Sequence, residues 1–386
     1  MIISPVNPTS KLSNVGTTIF SVIGQLANEF NAINLSQGAP DFPCSADLRQ
    51  QVELAMQANH NQYAPMTGLP MLKEQVSLKI NKLYQRVYDV EKEILITASA
   101  SQALYAAISA LVHPGDEVIY FEPSFDSYAP IVRLQGAKAV GIKLTVPEFK
   151  IDWDLVKNVL NSKTKMIILN SPHNPSGSVM SQNDLNTLAE LTRDTGIVIL
   201  SDEVYEHMVF DGQEHLSMSS HAELATRSVV VTSFGKTFHV TGWRVGCCVA
   251  PASIMSEIVK VHQFMMFSAD TPMQYAFCEH MKTPANYQYL ADFYQSKRDL
   301  MIQELKSGPF EVLPSYGSFF MLISYGHLTQ ACDSEVVKQL IRKHGVATIP
   351  LSAFYSDSTD HKLIRLSFSK SDQTIIDGVR ALNNFR

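Results

Sequence analysis

The feature that most restricts this chain is a series of short, continuously apolar runs spaced along its middle. Met166-Ile167-Ile168-Leu169 and Val229-Val230-Val231 have no alternation of apolar with polar residues. A strand with one wet face would alternate, so these runs suit a sheet covered on both faces. The strand candidates are Ile94–Thr97, Glu117–Phe121, Ala139–Leu144, Lys165–Asn170, Ile197–Ser201, Ser228–Ser233 and Val245–Ala250. Helical patterns lie between them. Ser101–Val112 is rich in Ala and Leu. Ser181–Thr195 opens on Ser181 with Asp184 three positions on, a capping-box start. Ala252–Phe267 follows the last strand. This alternation predicts an α/β fold with a mostly parallel sheet and right-handed crossovers. From about Pro284 to Arg386 the pattern becomes helix, strand at Gly317–Ile323, helix, and strand at Lys362–Phe368, a second layer.

At 386 residues the chain is long enough for roughly two domains. A net charge of −6, with Lys and Arg clustered no further than isolated pairs, argues against a nucleic-acid partner. The five cysteines include no CxxC pair, and Cys247-Cys248 sit in an apolar run, so buried free thiols and a reducing compartment are expected. Met1 to Lys11 has no apolar core of signal-peptide length, and no stretch reaches the roughly 18 apolar residues that span a bilayer. A cytoplasmic protein without a membrane partner is therefore expected. No metal site is expected either.

In open α/β sheets, ligands sit beyond the carboxyl ends of the strands. Here three successive strands lead into Ser171-Pro172-His173-Asn174-Pro175-Ser176-Gly177, into Ser201-Asp202-Glu203-Val204-Tyr205, and into Ser233-Phe234-Gly235-Lys236-Thr237 followed by Gly242-Trp243-Arg244. Singly, each has a plain structural reading: Asp202 as a helix cap, the Asn174 loop as a turn, Lys236 as an exposed loop lysine. Together they bring an amide, an acid with a phenol, and a lysine with an arginine to one rim. Such a set suits a polar aromatic aldehyde with a phosphate tail.

These segments resemble those of the class I/II aminotransferases, the fold-type-I pyridoxal-phosphate enzymes. SFGKTFHVTGWRVG is similar to that family's cofactor-lysine signature, and NSPHNPSG and SDEVYEH to the two motifs that precede it. The likeness extends to INLSQGAPDFP, NQYAPMTGLPMLKE, GDEVIYFEPSFDSYAP and HKLIRLSFS, and so covers nearly the whole chain. Within the family it is greatest to methionine aminotransferases of the kynurenine–oxoglutarate (glutamine) transaminase branch. The resemblance implies a mostly parallel seven-stranded sheet in a large domain, 46–283, and a smaller α+β domain from the two chain ends, 1–45 and 284–386. One departure stands at Ser99, where the family's phosphate loop usually contains glycine.

The resemblance also assigns roles. Lys236 holds pyridoxal 5'-phosphate and, once freed, is the general base. Asp202 pairs with the pyridine nitrogen; Tyr205 and Asn174 face the phenolic oxygen; Phe125 stacks on the ring. Arg244 and Ser233 hold the phosphate, with Ser101 and Gln102 as donors at a helix N-terminus, a natural anion site. Arg365 clamps the substrate carboxylate, and Gly38 lets backbone approach the substrate. Tyr63 reaches the cofactor of the neighbouring subunit, implying a homodimer with shared active sites.

No second arginine is evident for a side-chain carboxylate, and Ile19, Phe20, Tyr63 and Phe125 form an apolar candidate pocket, with Met265-Met266 read as core. The expected activity is transamination of methionine and related neutral or aromatic amino acids, with a 2-oxo acid as acceptor. A cysteine-conjugate β-lyase of the same fold stays open, because it would use the same Lys236 and Asp202. A nicotinamide-dependent dehydrogenase would want G-x-G-x-x-G after a strand, and none occurs. A DNA-binding regulator on this fold would carry an added region, and family-like sequence starts already at about Ser10.

Overall fold

The computed structural model describes residues 8–13 and 15–385; the expected small-domain segment 1–45 thus includes residues 1–7 and 14, which lie outside the described residues. In chain order the strands are β1 (Ile33–Asn34), β2 (Ile94–Thr97), β3 (Glu117–Glu122), β4 (Lys138–Lys143), β5 (Thr164–Asn170), β6 (Val198–Asp202), β7 (Ser228–Ser233), β8 (Gly246–Val249), β9 (Glu311–Val312), β10 (Phe320–Ser324), β11 (Val346–Ala347), β12 (Ile349–Pro350) and β13 (Leu363–Ser367). Seven of them form one sheet in the order β2-β8-β7-β6-β5-β3-β4. The apolar runs form its centre: all five residues of β6 are buried, and Ile167, Ile199 and Val231 have no exposed surface.

The sheet is mostly parallel, as expected. β4, β3, β5, β6 and β7 pair in parallel, while β8 runs against both β7 and β2. The reversal has a local cause. After β7 the chain makes only two short helical turns, Phe234–Thr237 and Thr241–Trp243, before β8. It therefore returns from the same end, whereas a parallel return needs a full crossover to the far end.

Helices Ala100–Leu111, Gln182–Thr192 and Ala252–Met265 follow β2, β5 and β8. The capping box at Ser181 and Asp184 forms in full. That helix stops at Thr192, three residues short of the expected Thr195, because Arg193 takes ψ 140° and Asp194 has φ 56°. The expected strand from Gly317 begins only at Phe320. Gly317 is instead tied to Gly177 by its N–H, and Ser318 has φ 63°.

A second, antiparallel sheet has the order β12-β13-β10-β9. Beside it β1 pairs in parallel with β11, Ile33 opposite Val346, so the two chain ends share structure. Cys247 and Cys248 are buried free thiols. Met265 and Met266 correct the core reading: they are 37% and 44% exposed, at the end of a helix next to Phe267, whose φ is 68°.

Candidate active site

β5, β6 and β7 end side by side, and the residues at and after their carboxyl ends meet at one cavity of about 350 Å³. Of the sequence-selected residues, Gly38, Ser101, Phe125, Asn174, Asp202, Tyr205, Ser233, Lys236, Arg244 and Arg365 line it. Gly38, near the chain's start, and Arg365 on β13 belong to segments far from the sheet in sequence.

Lys236 lies in the helical turn after β7, whose cap is Ser233: the Ser233 hydroxyl accepts from the Lys236 N–H at 3.3 Å. The Lys236 Nζ donates to the Gly38 carbonyl at 3.1 Å. Burial, with Arg365 and Arg244 nearby, pushes the Lys236 amine down to about 8. That is the direction a nucleophilic lysine needs, since only the neutral amine attacks. Gly38 is required here, because a Cβ would stand 2.5 Å from Phe320 Cζ and 2.6 Å from Phe319 Cε2.

Asp202 ends β6 and is 4% exposed. Burial pushes its carboxyl up to about 6, against the pull of Tyr128, the Val204 N–H and Lys236. Tyr128 donates to Asp202 Oδ2 at 2.7 Å, and Asn170 Nδ2 donates to the Asp202 carbonyl at 2.8 Å. Tyr205 is buried with its ring edge-on to Phe319, 5.0 Å between centroids, and burial pushes its hydroxyl up.

Arg365 is 1% exposed. Its Nη1 donates to Asn174 Oδ1 and its Nη2 to the Ser36 carbonyl, both at 2.7 Å. Its guanidinium lies 3.9 Å from the Phe320 ring centre. Its Nε has no partner, and among the described residues no carboxylate lies within ion-pair distance. Burial pushes it down to about 9, so it stays charged at neutral pH. Asp126 favours its charged form only from beyond ion-pair distance; a buried guanidinium without a directly paired carboxylate is costly, and an anionic ligand lowers that cost.

Two selected residues stand elsewhere. The Gln102 N–H, expected as a helix-end donor, goes to Ser99 Oγ at 3.4 Å, and its side chain accepts from the Ala98 N–H and lies 3.1 Å from His262 Nδ1. Tyr63 is 84% exposed, edge-on to Phe267. Of the expected apolar lining, Phe20 and Phe125 reach the cavity, whereas Ile19 borders a separate open groove. Tyr128, Asn170 and Phe320 were missed from sequence. Asn170 is the one polar residue closing an apolar strand, and Tyr128 follows Phe125 by three positions; both were visible signals. Ser99 caps helix Ala100–Leu111 with φ 90° and ψ 158°, the backbone that explains why glycine is usual there.

The sequence profile of the family described as aminotransferase class I and II matches residues 31–382. The chain is 45% identical over 380 residues to methionine aminotransferase of Escherichia coli (strain K12), covering 98% of both chains. The chain belongs to the class I and II aminotransferases.

Membership makes this a pyridoxal 5'-phosphate-dependent transaminase of fold type I. Kynurenine–oxoglutarate transaminase of Dictyostelium discoideum is 32% identical, covering 95% of this chain and 94% of that one. Among solved structures, YbdL from Escherichia coli, identified as a methionine aminotransferase, superimposes with a TM-score of 0.97 at 44% identity. That match covers 99% of this aminotransferase and 100% of YbdL. No helix of the described residues is long and apolar enough to cross a membrane.

Proposed function

We propose that this aminotransferase moves the amino group of methionine, and of related neutral and aromatic amino acids, to a 2-oxo acid. The observation that carries the reading is Arg365: a buried cation with no carboxylate in ion-pair distance among the described residues, in the same cavity as a lysine whose amine is pushed toward neutrality. The first suits an α-carboxylate, held by a planar fork; the second suits attack on an aldehyde.

The cavity fits the cofactor on chemical grounds. It offers an amine, a buried carboxylate, aromatic walls at Phe125 and Tyr205, and Arg244 with Ser233 at a helical turn. Pyridoxal 5'-phosphate, when bound, supplies an electron sink for the charge left at the substrate's α-carbon. Lys236 Nζ would hold the cofactor, and its amine would be the base that moves the proton of the substrate Cα. Asp202, ionised, pairs with the ring nitrogen. Asn174 and Tyr205 would hold the phenolic oxygen, and Phe125 would pack on the ring. Arg244, Ser233 and the N–H groups around Ser101 hold the phosphate. Arg365 orients the α-carboxylate so that the Cα–H faces Lys236.

Side-chain preference follows from charge. Among the described residues the cations lining the cavity are Lys236, Arg244 and Arg365. Each has a task already, so none is left for a side-chain carboxylate. Phe20, Phe125 and Phe320 offer apolar and aromatic surface instead. The curated relatives named above are transaminases, which favours transfer over C–S lysis.

We also read residues 46–283 as the large domain and 1–45 with 284–386 as the small one. The extent of the seven-stranded sheet and the β1–β11 pairing support this. A cytoplasmic homodimer is proposed as well, with Tyr63 reaching the neighbouring subunit's cofactor; its 84% exposure supports that role.

An amino-donor panel tests the function, with 2-oxo acid formation as readout. Methionine, phenylalanine, tyrosine and kynurenine should outrun aspartate, and Lys236→Ala should lose at least about 10³-fold in rate. Preference for aspartate would remove the substrate reading, and release of pyruvate and ammonia from a cysteine conjugate without amino transfer would favour the lyase.

A further inference from the structure

Asp202 needs an orientation as well as a charge, and the structure shows what sets it. Its two carboxylate oxygens have different partners. Oδ2 accepts the Tyr128 hydroxyl at 2.7 Å; Oδ1 accepts only the Val204 N–H, at 3.3 Å. Both side chains are buried, at 3% and 4% exposure. Tyr128 is fixed in turn. It begins helix Tyr128–Leu134, and its ring meets Phe125 edge-on at 5.7 Å. It is absent from the lining of the active-site cavity and borders a second cavity of about 160 Å³ instead, so its hydroxyl reaches the carboxylate from outside the active-site cavity. Asn170 holds the same residue by its backbone, donating to the Asp202 carbonyl.

We propose that Tyr128 is a positioning residue of the transaminase: its hydroxyl anchors Asp202 Oδ2 from behind and keeps the carboxylate ionised and aimed into the cavity. The proposal rests on the reading of Asp202 as partner of the cofactor's ring nitrogen. A hydrogen bond donated to a carboxylate favours its charged form, here against the desolvation that opposes it. The Tyr128 hydroxyl is a secure donor, since burial and the Asp202 charge push its own ionisation well up. Several other groups face Asp202. Lys236 stands on the turn after β7, and Glu203 and Tyr205 lie on its own segment. Lys236 favours the ionised carboxylate and Glu203 opposes it. Within hydrogen-bonding range of its side chain, only the Tyr128 hydroxyl and the Val204 N–H donate among the described residues.

Tyr128→Phe tests this, because it keeps the ring and removes one hydroxyl. The apoprotein is titrated with pyridoxal 5'-phosphate from acid to neutral pH. Affinity at neutral pH should fall about tenfold, the size expected for losing one charged hydrogen bond. The pH below which binding is lost should move up by about one unit. Two controls separate positioning from loss of structure. An analogue with CH in place of the ring nitrogen should bind wild type and Tyr128→Phe equally, and Tyr128→His, which restores a donor, should recover part of the affinity. Unchanged affinity and pH dependence in Tyr128→Phe, with Asp202→Asn weakened, overturns the Tyr128 role alone. Equal weakening of both ligands overturns it too, as loss of packing. If Asp202→Asn itself binds pyridoxal 5'-phosphate at full strength, the underlying reading of Asp202 falls, and this proposal with it.

Discussion

Arg365 illustrates how much one side chain can reveal when its surroundings are incomplete. Its terminal nitrogens are satisfied by Asn174 and Ser36, yet its charge is not, and its Nε is unpartnered. Arg365→Ala should raise the KM for amino acids and lower kcat/KM by about 10–100-fold, with bound cofactor retained. Such a loss corresponds to about 1.5–3 kcal/mol for a charged hydrogen-bond pair. Steady-state kinetics with methionine, beside cofactor absorbance after gel filtration, would show it; unaltered kinetics would remove the clamp role. Asp202 makes a pH prediction. Its folded carboxyl is pushed up to about 6, whereas an unfolded aspartate ionises near 3.9. The folded apoprotein therefore holds a proton that the unfolded chain has released. The stability this contributes is fully present below about pH 4 and is lost as pH rises through about 6. Asp202→Asn escapes that loss, so its apoprotein should resist urea better than wild type at pH 7, by up to about 3 kcal/mol, while binding cofactor less well. An apoprotein of Asp202→Asn with lower stability at pH 7 than at pH 4, in parallel with wild type, would contradict this account.

At the scale of elements, the start of helix Ala100–Leu111 carries a conflict between capping and backbone. Ser99 caps the helix by accepting from the Gln102 N–H, but it does so at φ 90° and ψ 158°. That region is almost confined to glycine and costs another residue about 1–3 kcal/mol. A glycine cap gives up only a few tenths of a kcal/mol relative to serine. Ser99→Gly should therefore stabilise the protein by about 1 kcal/mol, measured as a higher urea midpoint with unchanged slope. No gain would mean that the Ser99 hydroxyl offsets the strain. The same junction leaves no room beside it: a Cβ on Gly246 of β8 would lie 2.4 Å from the Ala100 nitrogen. The helix N-terminus is thus pressed against a reversed strand, and its N–H groups at Ser101 are held at the rim of the cavity.

At the scale of the whole molecule, exposed aromatic side chains gather where Tyr63 meets Phe267. Tyr63 and Phe264 are 84% and 88% exposed, and Met266 and Phe267 beside them are 44% and 47% exposed. Adjacent exposed aromatic and methionine side chains mark an interaction surface, and the proposed homodimer covers it. Phe264→Asp should shift sedimentation from dimer toward monomer and weaken cofactor binding, since Tyr63 would no longer reach the neighbouring cavity. Wild-type protein sedimenting as a monomer at micromolar concentration would exclude shared sites.

Much of this protein was legible along the chain because it is written in local patterns. Seven strand candidates, several of them continuous apolar runs, matched the strands of the large sheet to within a residue or two, and Ser181 with Asp184 marked a helix start that forms as expected. Strand-end position brought Asn174, Asp202, Lys236 and Arg244 together as candidates, because the carboxyl edge of a parallel sheet collects whatever follows each strand, and the family resemblance gave them their roles. Other features depend on contacts between distant segments, which no local pattern encodes. The exposure of Met265 and Met266 and the diversion of the Gln102 side chain to His262 belong to that class. So does the Tyr128–Asp202 bond, which spans 74 positions of sequence. Burial and its electrostatic consequences are likewise tertiary. A lysine moved toward neutrality and a buried arginine with an unpartnered Nε exist only once the chain has closed around them.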